Sequence, residues 1–321
     1  VQIPCIERNA MAGIRVKGGT VKQRKIFATA LYHTQVTPNV MSDVNGQYIR
    51  HDGSIGIMPE GRKYWSTFSI WDTFRAWHPL QTLTDTAFVN DMVLSFMEMY
   101  DASGELPIWP LWSGETGTMI GYHSVSVIAD AYLRGVRGFD AEAALKAMVR
   151  SSNINKKGSA LYNEFGFVPS DVKKESVSLT LEYAYDDWCI ARMAEELGHE
   201  DIAKEYYRRA TNYVNVFDGS TSFFRGRNRD GSRTTPFDIF STGRDYTEAT
   251  PWHYRFFAPH DVNGLIQLFG GREQFIKALD DLFTVESDEL TLDVSDVSGL
   301  KGQYAHGNEP SHNFAYLYSY A

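Results

Sequence analysis

The sequence predicts an all-α fold, and three observations carry that reading. Apolar residues recur at helical spacing over segments of a dozen or more residues, few stretches alternate in the manner of strands, and clusters of Gly, Pro, Asn and Asp separate the segments. Short links between successive helices favour antiparallel hairpins, arranged as a bundle or as a closed ring of helix pairs. The 321 residues are 43% hydrophobic, which is ample for a buried core, and no change in composition divides them. Residues 1–321 therefore read as belonging to one domain.

Taken in order, helices are expected at 20–35, 63–78, 84–101, 117–134, 140–152, 176–197, 199–217, 251–269, 272–284 and 310–320. The segment 176–197 shows the pattern best, because Val177, Leu181, Ala184, Trp188, Ala191 and Leu197 recur at helical intervals and Gly198 supplies a stop. Pro251 favours the start of the 251–269 segment, and Pro259 is a natural break within it. Two stretches carry no such period. Residues 36–62 contain Pro38, Asn45-Gly46 and Pro59-Glu60-Gly61, and residues 218–247 contain Asp218-Gly219 and Asp230-Gly231. Long irregular loops on a helical scaffold tend to present reactive groups, so these two mark the expected functional face.

Charge and cysteine content narrow the classes. Lys and Arg number 31 against 40 Asp and Glu, a net charge of −9, so the basic footprint of a nucleic-acid or anionic-membrane partner is missing. Seven acids, Asp280, Asp281, Glu286, Asp288, Glu289, Asp293 and Asp296, fall in one stretch with no Lys or Arg among them. That stretch reads as a solvated loop, since it lacks the glycine and alternating acids of a calcium hand. Cys5 and Cys189 are the only cysteines, too few for a disulfide framework or a thiolate zinc site. No apolar run approaches the roughly 18 residues of a membrane span. Aromatic residues make up 14% of the chain, which is mostly core but also suits stacking on rings.

The common phosphate, dinucleotide, zinc-protease and serine-hydrolase signatures are missing, which shifts weight to carboxylate chemistry. In Trp71-Asp72-Thr73-Phe74-Arg75, a helix would set Asp72 against Phe68, where a carboxylate can accept from sugar hydroxyls; the plain alternative is an Asp72–Arg75 ion pair. In Tyr246-Thr247-Glu248-Ala249-Thr250-Pro251-Trp252-His253-Tyr254, Glu248 is either a neighbour of a helix N-cap or a general acid. As an acid, its proton would be retained by the apolar surroundings of Tyr246, Trp252 and Tyr254. In His306-Gly307-Asn308-Glu309-Pro310-Ser311-His312, adjacent Asn and Glu oxygens are hard ligands suited to calcium, although Asn-Glu-Pro is also a common helix start. Glu115 and the Asp186-Asp187 pair are weaker acid sites. Glu182 and Asp186 would repel at i,i+4 unless a donor or cation intervenes.

Together these motifs resemble the catalytic domain of glycoside hydrolase family 92, the calcium-dependent exo-α-mannosidases. Further ordered blocks extend the resemblance over most of the chain, including Asp43-Val44-Asn45-Gly46, His78-Pro79-Leu80, Glu115-Thr116-Gly117-Thr118-Met119-Ile120-Gly121-Tyr122-His123, Leu181-Glu182-Tyr183-Ala184-Tyr185-Asp186-Asp187-Trp188 and Pro259-His260-Asp261-Val262. The resemblance implies an (α/α)6 toroid, normally preceded by a β-sandwich domain, that removes terminal α-linked mannose from glycans with inversion. Glu248 matches the family's general acid. Asn308 and Glu309 match the calcium motif, and the Ca2+ ion is expected to hold two ring hydroxyls and help flatten the ring. Trp71 and Asp72 match sugar-contacting positions of the −1 subsite, with Trp252, His306 and His312 as neighbours. A periplasmic or secreted location follows from the family alone.

Two departures stand out. After the acid the family usually reads Glu-Gly-Asn-x-Trp-Gln, whereas this chain has Glu248-Ala249-Thr250-Pro251-Trp252-His253, which points to an altered linkage preference. The family's general base is an Asp in a later segment ending Gly-Gln-Met-Ser-Ala-Trp, which does not occur among these residues. Inversion needs such a base roughly 6.5–9.5 Å from the acid, so it is expected outside residues 1–321. The expected helices also fall short of the twelve that six pairs require, so the toroid is expected to be incomplete here. The rival readings are a non-catalytic carbohydrate-binding module and a mannose-1-phosphate diester hydrolase.

Overall fold

The computed structural model describes residues 13–286, 297 and 300–321, which fall into two compact units. Helices dominate, and the strands are two or three residues long. The first unit comprises 13–119 and 123–148, the second 120–122 and 149–321.

In the first unit, helix α1 (Val21–His33) opens on a capping box in which Thr20 and Gln23 satisfy each other's backbone N–H groups. The stretch expected to be irregular carries strands β1 (Asn39–Val40), β2 (Gln47–Ile49), β3 (Ile55–Ile57) and β4 (Trp65–Ser66), with β2 pairing β3 and β1 pairing β4, both antiparallel. The helix expected over 63–78 does not form as one piece. Its early N–H groups are claimed elsewhere, Trp65 N–H by Ser95 Oγ at 2.9 Å and Phe68 N–H by the Pro110 carbonyl at 3.1 Å, while Thr67 takes φ 69°. Two short helices remain, α2 (Ile70–Thr73) and α3 (Trp77–Thr84).

Helix α4 (Thr86–Ser103) is capped by the Asp85 carboxylate on Phe88 N–H and ends at left-handed Gly104. A hairpin of β5 (Pro110–Leu111) and β6 (Gly114–Glu115) precedes α5 (Ser124–Leu133). That helix starts later than expected because Gly117, Met119 and Gly121 all adopt positive φ, which a right-handed helix excludes. Helix α6 (Ala141–Ser152) follows the expected bounds closely.

The second unit contains α7 (Ser159–Phe165), which the periodicity misses, then α8 (Ser176–Glu196) and α9 (Glu200–Ala210), joined through left-handed Gly198 as an antiparallel hairpin. The chain continues as a 3-10 turn (Thr211–Val216) and a hairpin of β7 (Phe217–Asp218) and β8 (Phe223–Phe224). The expected 251–269 helix is two pieces, α10 (Pro251–Tyr254) and α11 (Val262–Leu268), interrupted around Pro259. Helix α12 (Arg272–Thr284), the pair β9 (Leu300–Lys301) and β10 (Tyr304–Ala305), and 3-10 turns at Glu309–Ser311 and Phe314–Tyr320 complete it. Asp280 and Asp281 lie on α12 rather than in a loop, whereas Asp288, Glu289, Asp293 and Asp296 lie outside the described residues.

Helix α8 is buried along most of its length, acids included. Asp187 receives both Arg209 Nε and Arg209 Nη2 at 2.9 Å, the Tyr122 hydroxyl at 2.8 Å and the Tyr162 hydroxyl at 3.0 Å. Burial pushes its carboxyl up to about 6, with Arg209 pulling the other way, so the pair is ionised at neutral pH. The feared Glu182–Asp186 repulsion is answered by donors, the Tyr254 hydroxyl to Glu182 and the Tyr122 N–H to Asp186, each at 2.8 Å.

In the first unit, His78 is 2% exposed among Phe68, Trp77 and Phe96, with neither ring nitrogen hydrogen-bonded. Burial lowers its pKa to about 3 from 6.5, so the imidazole is neutral when folded. The unfolded chain takes up the proton first; this contribution to stability is complete above about pH 6.5 and is lost as pH falls toward 3. His78→Phe is therefore expected to flatten the acid limb of stability against pH, by roughly 2 kcal/mol between pH 7 and pH 4.5 in denaturant titrations. An unchanged slope would refute the neutral-imidazole account.

Candidate active site

The second unit brings the 245–254 segment onto α8. Val177 N–H donates to the Asp245 carbonyl at 3.0 Å, Thr247 N–H to Ser178 Oγ at 2.9 Å, and the Thr247 hydroxyl to Glu175 at 2.8 Å. Thr247 and Ala249 are buried, yet Glu248 between them is exposed and takes φ 48°. A non-glycine residue in that conformation carries strain of order 1–3 kcal/mol, tolerated only where surrounding contacts over-determine it. Here those contacts turn the carboxylate outward while both neighbours point in.

The second anchor comes from far along the sequence. Asn308, fully buried at the start of the Glu309–Ser311 turn, donates from Nδ2 to the Glu248 carbonyl at 2.9 Å. The same nitrogen lies 3.3 Å from His253 Nδ1, which also accepts the Thr250 N–H at 3.1 Å. Burial lowers the His253 pKa to about 4, so its ring is neutral and Nδ1 is an acceptor. Both neighbours of the Asn308 amide are thus acceptors, which fixes its orientation with Nδ2 toward them and Oδ1 away.

Asn308 Oδ1 is buried and has no hydrogen-bond partner. An orphaned amide oxygen beside the half-buried carboxylate of Glu309 is the donor set a hard cation takes, so these two residues fit calcium by chemistry. Among the described residues no three His, Cys, Asp or Glu side chains gather in a metal-holding group.

His306 is exposed and His312 half-buried; their rings lie 5.6 Å apart, tied by His312 Nε2 to the His306 carbonyl at 3.0 Å and by the Tyr304 hydroxyl to His306 Nδ1 at 2.9 Å. Both flank Asn308–Glu309 at the surface.

The aromatic residues expected around the acid are all buried. Tyr246 and Tyr254 are buried, with their hydroxyls on the Phe224 carbonyl and Glu182, and the apolar pocket expected to hold the Glu248 proton is not what surrounds this exposed residue. Trp252 is 2% exposed, edge-on to Phe223 and covered by the Arg255 guanidinium at 4.7 Å, so it packs in the core instead of offering a face to a sugar. In the first unit Trp71 is likewise buried, with the Arg75 guanidinium 4.8 Å from its ring, while Asp72 beside it is half-buried. Glu115 proves to be a loop clamp, its carboxylate accepting the N–H groups of Ile108, Trp109 and Gly117 at 2.8–2.9 Å. Asp186 and Asp187 are structural acids of α8.

Residues 8–321 match the profile of the glycosyl hydrolase family 92 catalytic domain. The chain belongs to that family. A family 92 α-mannosidase from Bacteroides thetaiotaomicron superposes with a TM-score of 0.92 at 40% identity, covering 98% of this chain and 42% of that one. A family 92 inverting mannosidase from the same organism superposes at 0.86 with 34% identity, covering 97% and 44%. An uncharacterized secreted glycosidase from Arthroderma benhamiae is 27% identical over 271 residues, 72% of this chain and 33% of that protein. The chain thus spans less than half the length of the relatives it matches. Family membership makes it a glycosidase sequence, and no helix among the described residues is long and apolar enough to cross a membrane.

Replacing Asn308 tests the anchor. Asn308→Leu fills the space but leaves the Glu248 carbonyl without its donor, and is expected to cost about 1–3 kcal/mol in denaturant unfolding. A change below about 0.5 kcal/mol would mean that the anchor does not hold the acid segment.

Proposed function

We propose that residues 1–321 form part of an inverting exo-α-mannosidase catalytic domain, a single (α/α)6 toroid completed outside this stretch, that removes terminal α-linked mannose from glycans. The observation that carries the reading is the 2.9 Å bond from Asn308 to the backbone of Glu248, which joins the motif assigned to the cation and the motif assigned to the acid across 60 residues. Likeness to an α-mannosidase and to an inverting mannosidase supports the substrate class and the stereochemistry. The secreted fungal relative supports export, periplasmic or extracellular.

In this mechanism Glu248 donates its proton to the departing glycosidic oxygen. The carboxyl is exposed in the chain as described, so its shielding comes from the sugar ring that docks over it, and the proton is held more tightly once water is displaced. Asn308 and Glu309 would hold Ca2+, which would supply a hard Lewis acid for the ring hydroxyls of the terminal mannose. His306 and His312 contact the sugar from the surface beside that pair, and Trp252, being buried, serves as backing for them. The base that activates water lies outside these residues.

The test uses the full-length protein on α-mannosides. Glu248→Gln is expected to lower kcat by about 10²–10⁴ on unactivated mannosides and far less on aryl mannosides whose leaving group needs no proton. Chelation is expected to abolish turnover, with recovery on adding Ca2+, and the first product seen by NMR is the inverted anomer. Full activity under chelation would remove the cation from the mechanism, and a loss below tenfold in Glu248→Gln would remove the acid.

A further inference from the structure

Asn308 is fixed at its backbone by its own turn. Its N–H donates to the Ala305 carbonyl at 3.2 Å, and the Ser311 hydroxyl lies 3.0 Å from the Ala305 carbonyl and 3.1 Å from that of Asn308. The side chain needs a separate hold, because an amide that exchanges its oxygen and nitrogen keeps its shape but presents a donor where an acceptor stood. One Nδ2 hydrogen goes to the Glu248 carbonyl at 2.9 Å, and the other faces His253 Nδ1 at 3.3 Å. Nδ1 accepts only while the ring proton sits on Nε2. A third segment of the second unit fixes that tautomer. The His253 ring bonds to the Gln303 backbone carbonyl while Nδ1 takes the Thr250 N–H at 3.1 Å, so the proton belongs on Nε2. Gln303 is itself tied to the end of α12, through its N–H on the Leu282 carbonyl at 2.8 Å and its Nε2 on the Val285 carbonyl at 3.1 Å. Gly302 permits that approach, since it takes φ 57° and a Cβ there would lie 2.5 Å from the Phe283 carbonyl carbon.

We propose that His253 is a positioning residue for the cation: by holding the second Nδ2 hydrogen of Asn308 it keeps Oδ1 turned away as an open acceptor, and so sets the affinity of Asn308 and Glu309 for Ca2+. With the amide reversed, Oδ1 would face two acceptors, the Glu248 carbonyl and His253 Nδ1, and the position of the open acceptor would carry N–H groups that repel a cation. His253 is buried with both ring nitrogens committed, so it acts on the ion through Asn308 and not as a ligand. Partners of this kind orient a ligand before the metal arrives, and their loss shows in metal affinity. The inference rests on the reading of Asn308 and Glu309 as the Ca2+ pair.

The experiment uses the full-length protein, stripped with a chelator and titrated with Ca2+ by calorimetry, as parent, His253→Asn and His253→Leu. Asparagine places Oδ1 where Nδ1 stands and keeps the acceptor, so its Kd for Ca2+ is expected within about threefold of the parent, whereas leucine fills the space without an acceptor and is expected to raise Kd about 10–100-fold. Thermal midpoints of the metal-free proteins separate this from a loss of packing. Both variants lose the ring's bond to Gln303, so both midpoints are expected to fall, and a merely structural role would make affinity follow the midpoint in both. Leucine binding Ca2+ as tightly as the parent, or asparagine weakened as much as leucine, overturns the inference. If the leucine variant does not fold, asparagine decides alone: retained affinity despite a lowered midpoint supports the inference, and a loss of about tenfold or more overturns it. A parent that takes up no Ca2+ overturns the cation reading of the site and this inference with it, whereas a parent that binds beside an equally tight His253→Leu overturns the inference alone.

Discussion

Everything in the second unit depends on how α8 disposes of its buried carboxylates. The helix lies in the interior with Glu182, Asp186 and Asp187 each excluded from water, and an unpaired charge there would cost several kcal/mol. Each is therefore given donors, and each donor comes from a different part of the chain: Arg209 from α9, Tyr162 from α7, Tyr122 from the turn before α5, and Tyr254 from α10. The acids thus fix the positions of the elements around them. Replacing the set with apolar residues would save the desolvation cost but remove the instructions on where α7, α9 and α10 belong.

The last of these constraints reaches the site. Tyr254 on Glu182, Thr247 on Ser178 and Val177 on the Asp245 carbonyl hold the segment at both ends of Glu248. Between those holds Thr247 and Ala249 are buried, Glu248 is exposed, and Glu248 takes a left-handed φ. Strain at a single residue is affordable because the neighbouring contacts are numerous and buried.

Much of the helical framework was legible in the sequence because it depends on local period and punctuation. Residues 176–197 with Gly198 gave α8 and its turn, and 272–284 gave α12 to the residue. Failures occur where tertiary partners outbid local preference. The 63–78 stretch has an acceptable helical pattern, but its N–H groups bond to Ser95 and Pro110, and the start of α5 is delayed by three left-handed residues. At the site, motifs named Glu248, Asn308 and Glu309 individually. No local signal tells that Asn308 bonds the Glu248 backbone, since the pair is 60 residues apart. Nor does one tell that Trp71 and Trp252 face inward, because an aromatic beside an acid has the same sequence whether it packs below the site or lines it.

The Asn308 amide also constrains how the two halves of this site can act on each other. Its nitrogen is committed to the Glu248 carbonyl, and its oxygen is the buried acceptor left open. An amide is a conjugated unit, so whatever is drawn to Oδ1 withdraws electron density from Nδ2 and strengthens the N–H donation on the other side. Occupation of the oxygen would therefore strengthen the bond to the Glu248 carbonyl without any movement of the chain. A serine or alanine at this position could supply neither half of that arrangement, and an aspartate could supply only the oxygen. Asparagine is the shortest side chain with a fixed donor and a fixed acceptor on one rigid plane, so one residue can hold the Glu248 carbonyl and still keep an acceptor open.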